Sequence, residues 1–284
     1  MSDAELQGRD PILGRGGLDL DPDELQKARE EESLNASVTY EVIRREGMKE
    51  LERAPEALAW SGLAAGLSMG FILVAEGLLR SHLPDAPWRP LVSKLGYSVG
   101  FLVVILGSQQ LYTENTITPI VPLLAEKSAE MLGRVLRLWA IVLVTNLIGT
   151  IVFAWVVART TLFDPDVQAA MLGVANETMR GDFASTLLRA IFAGWLIALM
   201  VWMLPGSKGA QFSVIVMMTY LVGVAGLSHI VAGSTEAAYL VARGAATWGD
   251  YFGRFVLPTL LGNTLGGVTL VAALNHAQVT GGEK

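Results

Sequence analysis

The chain of 284 residues has no cysteine, which excludes disulfides, thiolate metal sites and cysteine nucleophiles. Hydrophobic residues make up 52% against 17% charged, and several uncharged runs reach the roughly 20 apolar residues a helix needs to cross a bilayer. The class expected is therefore an all-α, polytopic membrane protein, and the net charge of −6 belongs to residues 1–33, which hold ten Asp/Glu and four Lys/Arg.

That opening segment is too polar to bury much apolar surface and is expected to be a disordered cytoplasmic tail. No charged start with a short apolar core and a cleavage site is present, so the first span itself is expected to direct insertion. Across 34–55, Val38, Tyr40, Val42, Ile43, Met48 and Leu51 are mixed with Arg44, Arg45, Lys49 and Arg53, a pattern suited to an amphipathic helix at the membrane surface. A six-span channel domain is expected over 56–277, with a short tail over 278–284.

Ala57 to Leu79 reads as the first span. Gly62, Gly66 and Gly70 recur every four residues and give one face that another helix can approach closely, including a helix of a second copy. Glu76 lies one turn from Arg80, which predicts an ion pair at the interface. The second apolar stretch, Leu91 to Leu124, is too long for one straight crossing. Its middle holds Gln109, Gln110, Thr113, Glu114, Asn115, Thr116 and Thr118, followed by Pro119 and Pro122, which predicts two half-helices joined by a loop within the membrane. Leu138 to Ala158 is the third span, and the connection from Arg159 to Phe183 is expected to be aqueous.

Thr186 to Leu204 is the fourth span, ended by Pro205-Gly206. The fifth stretch, Gln211 to Ala242, is again over-long, and is interrupted around GVAGLSHIVAGSTEAAYLV, Gly223 to Val241. Lipid offers no partner to freed peptide groups, so such an interruption must meet protein or a water-filled cavity. His229 sits at it and is a candidate functional residue, the plainer reading being a ring held by loop carbonyls. Phe255 to Leu274 is the sixth span, with Trp248 and Tyr251 expected at an interface before it.

Breaks at matching places in two three-span halves predict an inverted repeat, with a site where the breaks meet. Asn146 and Gly149 in the third span recur as Asn263 and Gly266 in the sixth, an offset of 117 that carries the Thr113 region to within one residue of His229. Three spans per half put both termini on one side, and the Lys/Arg bias makes that side cytoplasmic.

The order and spacing of four segments resemble the formate/nitrite transporter family over roughly residues 37–277. They are LYT at Leu111 to Thr113 against the family's Leu-Phe-Thr, LSH at Leu227 to His229 against Phe-Glu-His, the small residues after that histidine, and GNTLGG at Gly262 to Gly267 against Gly-Asn-x-x-Gly-Gly. The resemblance implies a homopentamer of aquaporin-like protomers in the inner membrane, each with its own pore. It implies that Thr113 faces His229, that Tyr97, Phe101, Leu111, Tyr112 and Val222 fall at apolar constrictions, and that Asn146, Asn263, Gly226 and Gly233 support the two loops.

The chain departs from the family's pattern in four places. Gln110 stands where the family usually has an acid and Glu114 where it has a small residue, so the carboxylate has moved across the loop. Thr178 stands where the family has a lysine that draws anions into the outer vestibule, with Arg180 two residues on, and Gly194 stands where an asparagine often faces the pore. These departures mark a divergent branch.

The function expected is a channel for a small monovalent anion or its weak acid, with His229 polarising or protonating the passing species. The alternatives are a channel of the same fold for a neutral or cationic solute, and a non-conducting membrane scaffold. An enzyme is not expected, since His82, His229 and His276 are too scattered for a histidine-rich metal site and no nucleophile elbow is expected. No cofactor, metal or nucleic-acid partner is expected; the partners are the solute, the bilayer and further copies of the chain.

Overall fold

A computed structural model describes residues 35–281; the acidic segment 1–33 and the final residues 282–284 lie outside the described residues. Among the described residues every regular element is a helix. The first, α1 (Ala36–Glu52), starts at an Asn35 side chain that accepts from the Val38 N–H and buries Tyr40, Ile43 and Leu51. On its outer face, hydrogen bonds from Arg44 and then Arg45 hold the Glu41 carboxyl down at about 2, so these pairs persist across the physiological range.

The first span is two helices, α2 (Pro55–Met69) and α3 (Phe71–His82), joined at Gly70. The second begins with a short helix, α4 (Arg89–Ser93), and a 3-10 turn over Lys94–Gly96, then continues as α5 (Tyr97–Leu106). After the break, α6 (Ile120–Glu126) completes this stretch, and α7 (Ala129–Arg159) forms the third span. The fourth span is α9 (Phe183–Met203), preceded by α8 (Pro165–Thr178). The fifth stretch is α10 (Gln211–Val224) and α11 (Ile230–Ala242). The last span alternates π stretches, Asp250–Val256 and Val268–Ala273, with α12 (Leu257–Gly267) and α13 (Leu274–Gly281).

Among the described residues five helical runs are long and apolar enough to cross a membrane, and the fifth stretch supplies two shorter apolar helices instead. Large apolar side chains stand exposed along their outer faces, among them Leu136, Val144, Ile148 and Val152 on α7, as a lipid-facing or subunit-facing surface requires.

Helix α2 packs along α7 and α9 along α12, and both pairs close on glycine. A Cβ at Gly66 would meet the backbone oxygen of Asn146, and one at Gly194 the backbone oxygen of Asn263. Two expectations are corrected here. The Gly62, Gly66 and Gly70 face is used up inside the protomer against Thr145, Asn146 and Phe153, so it offers no surface to a second copy. Gly194 does not stand at a pore-facing position, since it backs onto the last span with no room for a side chain.

The 159–183 connection is also not a plain aqueous loop. Pro165 opens α8, whose Val167, Met171, Val174 and Ala175 are buried against α3 and α11. The helical spacing of those apolar residues was present in the sequence, masked by the polar run after it. Finally, Gly66 to Gly70 does carry Gly-x-Ser-x-Gly spacing, but Ser68 lies on a helix, and a nucleophile elbow needs a strand-to-helix turn.

Candidate functional site

Both breaks begin with the same device. At the end of α5, Ser108 takes a left-handed conformation (φ 51), and the Gln109 N–H returns to the Val104 carbonyl at 2.9 Å. At the end of α10, Gly226 does the same (φ 61), and the Leu227 N–H returns to the Val222 carbonyl at 3.0 Å. This left-handed cap satisfies the last carbonyls of a helix and turns the chain out of its axis.

An asparagine then holds each loop. The Asn146 Oδ1 accepts from the Tyr112 N–H at 3.0 Å, and its Nδ2 donates to the carbonyls of Gln110 at 2.9 Å and Gly62 at 2.7 Å. The Asn263 Oδ1 accepts from the Ile230 N–H at 2.8 Å, and its Nδ2 donates to Ser228 at 2.9 Å and Ala190 at 2.8 Å. Both asparagines are fully buried, so each pairs two backbone groups freed by its break and ties the loop to a neighbouring helix through a third. The matched loop atoms set an offset of 118, which pairs His229 with Leu111; Thr113, expected as its counterpart within one residue, lies two residues beyond that match.

The loops bring the two expected residues together: Thr113 Oγ1 lies 2.8 Å from His229 Nε2, and both side chains are buried. His229 is also the N-cap of α11, its Nδ1 accepting from the Ala232 N–H at 3.2 Å. A nitrogen that accepts carries no proton, so the tautomer assigned from these contacts is neutral, with Nε2–H donating to Thr113. Phe101 sits edge-on to the imidazole, ring centroids 4.9 Å apart, and Tyr97 packs on Phe101 at 5.6 Å. Leu111 and Val222 are fully buried, and Tyr112 shares a hydrogen bond with Thr264 at 2.9 Å. Gly226 lies in the break, whereas Gly233 does not: the small residues after His229 form α11, and Gly233 packs against Phe255 and Thr178. The second break thus ends at the histidine, because the helix runs unbroken from Ile230 to Ala242.

A cavity of about 330 Å³ reaches this pair from one side. Its lining runs from the exposed arginines Arg180 and Arg189, past Lys94 and Glu177, to Tyr97, Glu236 and His229. The expected Glu76–Arg80 pair does not form. Glu76 is fully buried and takes Lys94 at 2.6 Å, while Arg80 turns to Glu177 at 2.6 Å. The reason is the 3-10 turn ahead of α5: Gly96 lies against the Glu76 backbone, which closes that face of α3 and leaves Lys94 within reach. The departure at Thr178 is matched by Glu236, whose carboxylate accepts from the Thr178 hydroxyl. Neither Lys94 nor Glu236 was singled out by sequence pattern, since each stands alone in an apolar run.

On the other side, Glu50 of α1 accepts from the Gln110 Nε2 at 2.8 Å and pairs with Arg53 at 3.0 Å. A carboxylate therefore does reach the Gln110 position, from a different helix. Glu114 has one buried carboxyl oxygen with no hydrogen-bond partner. No group of three or more His, Cys, Asp or Glu side chains that could hold a metal occurs among the described residues.

The formate/nitrite transporter family model matches residues 37–277. The inner membrane protein YfdC of Escherichia coli (strain K12) is 41% identical over 244 residues, covering 86% of this chain and 79% of that protein. The formate channel BtFdhC of Bacillus thuringiensis is 27% identical over 239 residues, covering 81% and 90%. Among solved structures, an FNT family ion channel superposes with a TM-score of 0.72 at 21% identity, covering 83% of this chain and 96% of that one. A pentameric formate channel with formate bound gives 0.65 at 18%, covering 84% and 99%. BtFdhC and the two solved structures are named as channels, and this all-helical, multi-pass chain belongs to the formate/nitrite transporter family.

Proposed function

We propose that each protomer is a channel for a small monovalent anion or its weak acid, formate-like in size, working as one of five in the inner membrane with both termini in the cytoplasm. The observation that carries this reading is the buried Thr113–His229 hydrogen bond of 2.8 Å at the floor of a cavity whose mouth bears Arg180 and Arg189. The two arginines favour an approaching anion, and the N-terminus of α11 adds a positive end at the histidine.

At the inner end of the cavity, Tyr97 and the Phe101 packed on it present an apolar gate, where a bare ion loses hydration at a cost of several kcal/mol while the neutral acid crosses far more cheaply. His229 meets the solute through Nε2–H, in place of the Thr113 hydroxyl. With Nδ1 committed to the Ala232 N–H, a second proton on the ring breaks the cap of α11, so the ring acts by polarising rather than by holding a proton.

A second reading, a pore for a neutral or cationic solute, is favoured by two acids near the path, Glu236 and Glu114, and by Thr178 in place of a lysine. Flux into proteoliposomes decides between them, using formate, nitrite, acetate, hydrosulfide and urea. The anion reading expects the weak acids to pass and urea to be excluded; urea passing while formate and acetate do not reverses the order.

A further inference from the structure

The outer vestibule contains an acid that no ion pair accounts for. Below the arginine rim, Lys94 is neutralised by Glu76 at 2.6 Å and Glu177 by Arg80 at 2.6 Å. That leaves Glu236, 3% exposed, lining the cavity with no counter-ion within salt-bridge distance among the described residues, its carboxylate held by the Thr178 hydroxyl. The charged and titratable groups facing it are Glu76 of α3, Lys94, Tyr97 of α5 and Glu177 of α8, which itself holds Arg80, with His229 at the foot of its own helix and Arg180 and Arg189 at the rim. Tyr251 of the last span is buried beside Ser234 on the same helix. The buried faces of α2, α7 and α12 bring no titratable side chain.

An anion that passes the rim therefore meets one uncompensated negative charge unless Glu236 carries a proton. The next group on the path, His229, has its Nδ1 engaged by the Ala232 N–H and offers no spare proton. Resting on the channel reading above, we propose that Glu236 is the proton-loading residue of the vestibule. An anion drawn in past Arg180 and Arg189 takes the carboxyl proton of Glu236 and moves on past Tyr97 and Phe101 as the neutral acid. The O–H bond of Glu236 breaks, the O–H bond of the acid forms, the charge remains on Glu236, and water in the vestibule restores its proton. The anion of a strong acid cannot accept that proton and is turned back.

The test uses the full chain in liposomes, with initial rates of formate and nitrate entry measured at external pH from about 5 to 8. Protein-free vesicles supply the background, and each variant is checked for assembly by size-exclusion chromatography. The wild type is expected to admit formate faster as external pH falls and to exclude nitrate. Glu236→Gln is expected to slow formate entry at low pH by at least about tenfold and to leave a flat pH profile, and Glu236→Asp to restore a pH-dependent rate. Thr178→Val removes a hydroxyl that stabilises the carboxylate, so its half-maximal rate moves to higher pH.

A Glu236→Gln protein with the wild-type pH profile overturns the proposal, as does nitrate entering as fast as formate. If Glu236→Gln does not assemble, an unmoved midpoint in Thr178→Val overturns it instead. A wild-type protein that carries no formate at any pH ends the channel reading, and this proposal with it, a result distinct from the failures above.

Discussion

The two breaks are built alike and finished differently. Each starts with a left-handed cap, at Ser108 and at Gly226, and each is then held by an asparagine from the last span of its half. From there they diverge. In the first, Thr113 leads into a 3-10 turn over Glu114–Thr116, and Pro119, which lacks an N–H, delays the next helix until Ile120. In the second the chain enters α11 at once, and the residue matched to Leu111 is a histidine that caps it. One scaffold thus supplies an apolar wall and a hydroxyl from one half, and a polar ring with a helix N-terminus from the other. The matched backbone positions bring the two halves together, and the unlike side chains at Thr113 and His229 supply the polar chemistry of the contact.

Several substitutions test how far the likeness extends. The largest effect is expected from Asn146→Ala and Asn263→Ala, which each strand two buried loop backbone groups; at about 1–3 kcal/mol per group, both should lose most of their assembled protein. Thermal melting in detergent would read this, and an Asn146→Ala protein as stable as wild type would break the equivalence of the halves. Gly66→Ala and Gly194→Ala come next. A methyl driven onto the Asn146 or Asn263 backbone is overpacking worth about 1–3 kcal/mol, so the two melting points should fall by similar amounts.

His229→Leu gives the second break the residue of the first, and removes the cap of α11 along with the contact to Thr113. It should cost about 0.5–2 kcal/mol and most of the flux, whereas His229→Asn keeps a good N-cap and most of the stability. Equal melting points for the two variants would mean that the cap contributes nothing. The smallest effect concerns the left-handed residues. Gly226→Ala should lower stability by about 1–2 kcal/mol, and Ser108→Gly should shift melting slightly or not at all, because glycine relieves the strain but gains freedom in the unfolded chain.

By itself the sequence determined the all-helical membrane class, the two broken stretches and the recurrence of Asn146 and Asn263. These rest on composition, on run length, and on proline and glycine, which act locally whatever surrounds them. Tertiary structure alone decided which charges meet. Glu76 and Arg80 stand one turn apart and read as a pair, yet Gly96 closes one face of α3 and α8 covers another, so Glu76 goes to Lys94 and Arg80 to Glu177. Glu236 shows no pattern in a run of small residues, and only the packing of α11 beside α8 sets it at the wall of the vestibule. The pairing of Leu111 with His229 was hidden for the same reason. Offsets counted along the chain came from the asparagines, whereas the match between loops is written in backbone hydrogen bonds that exist only once both halves have folded.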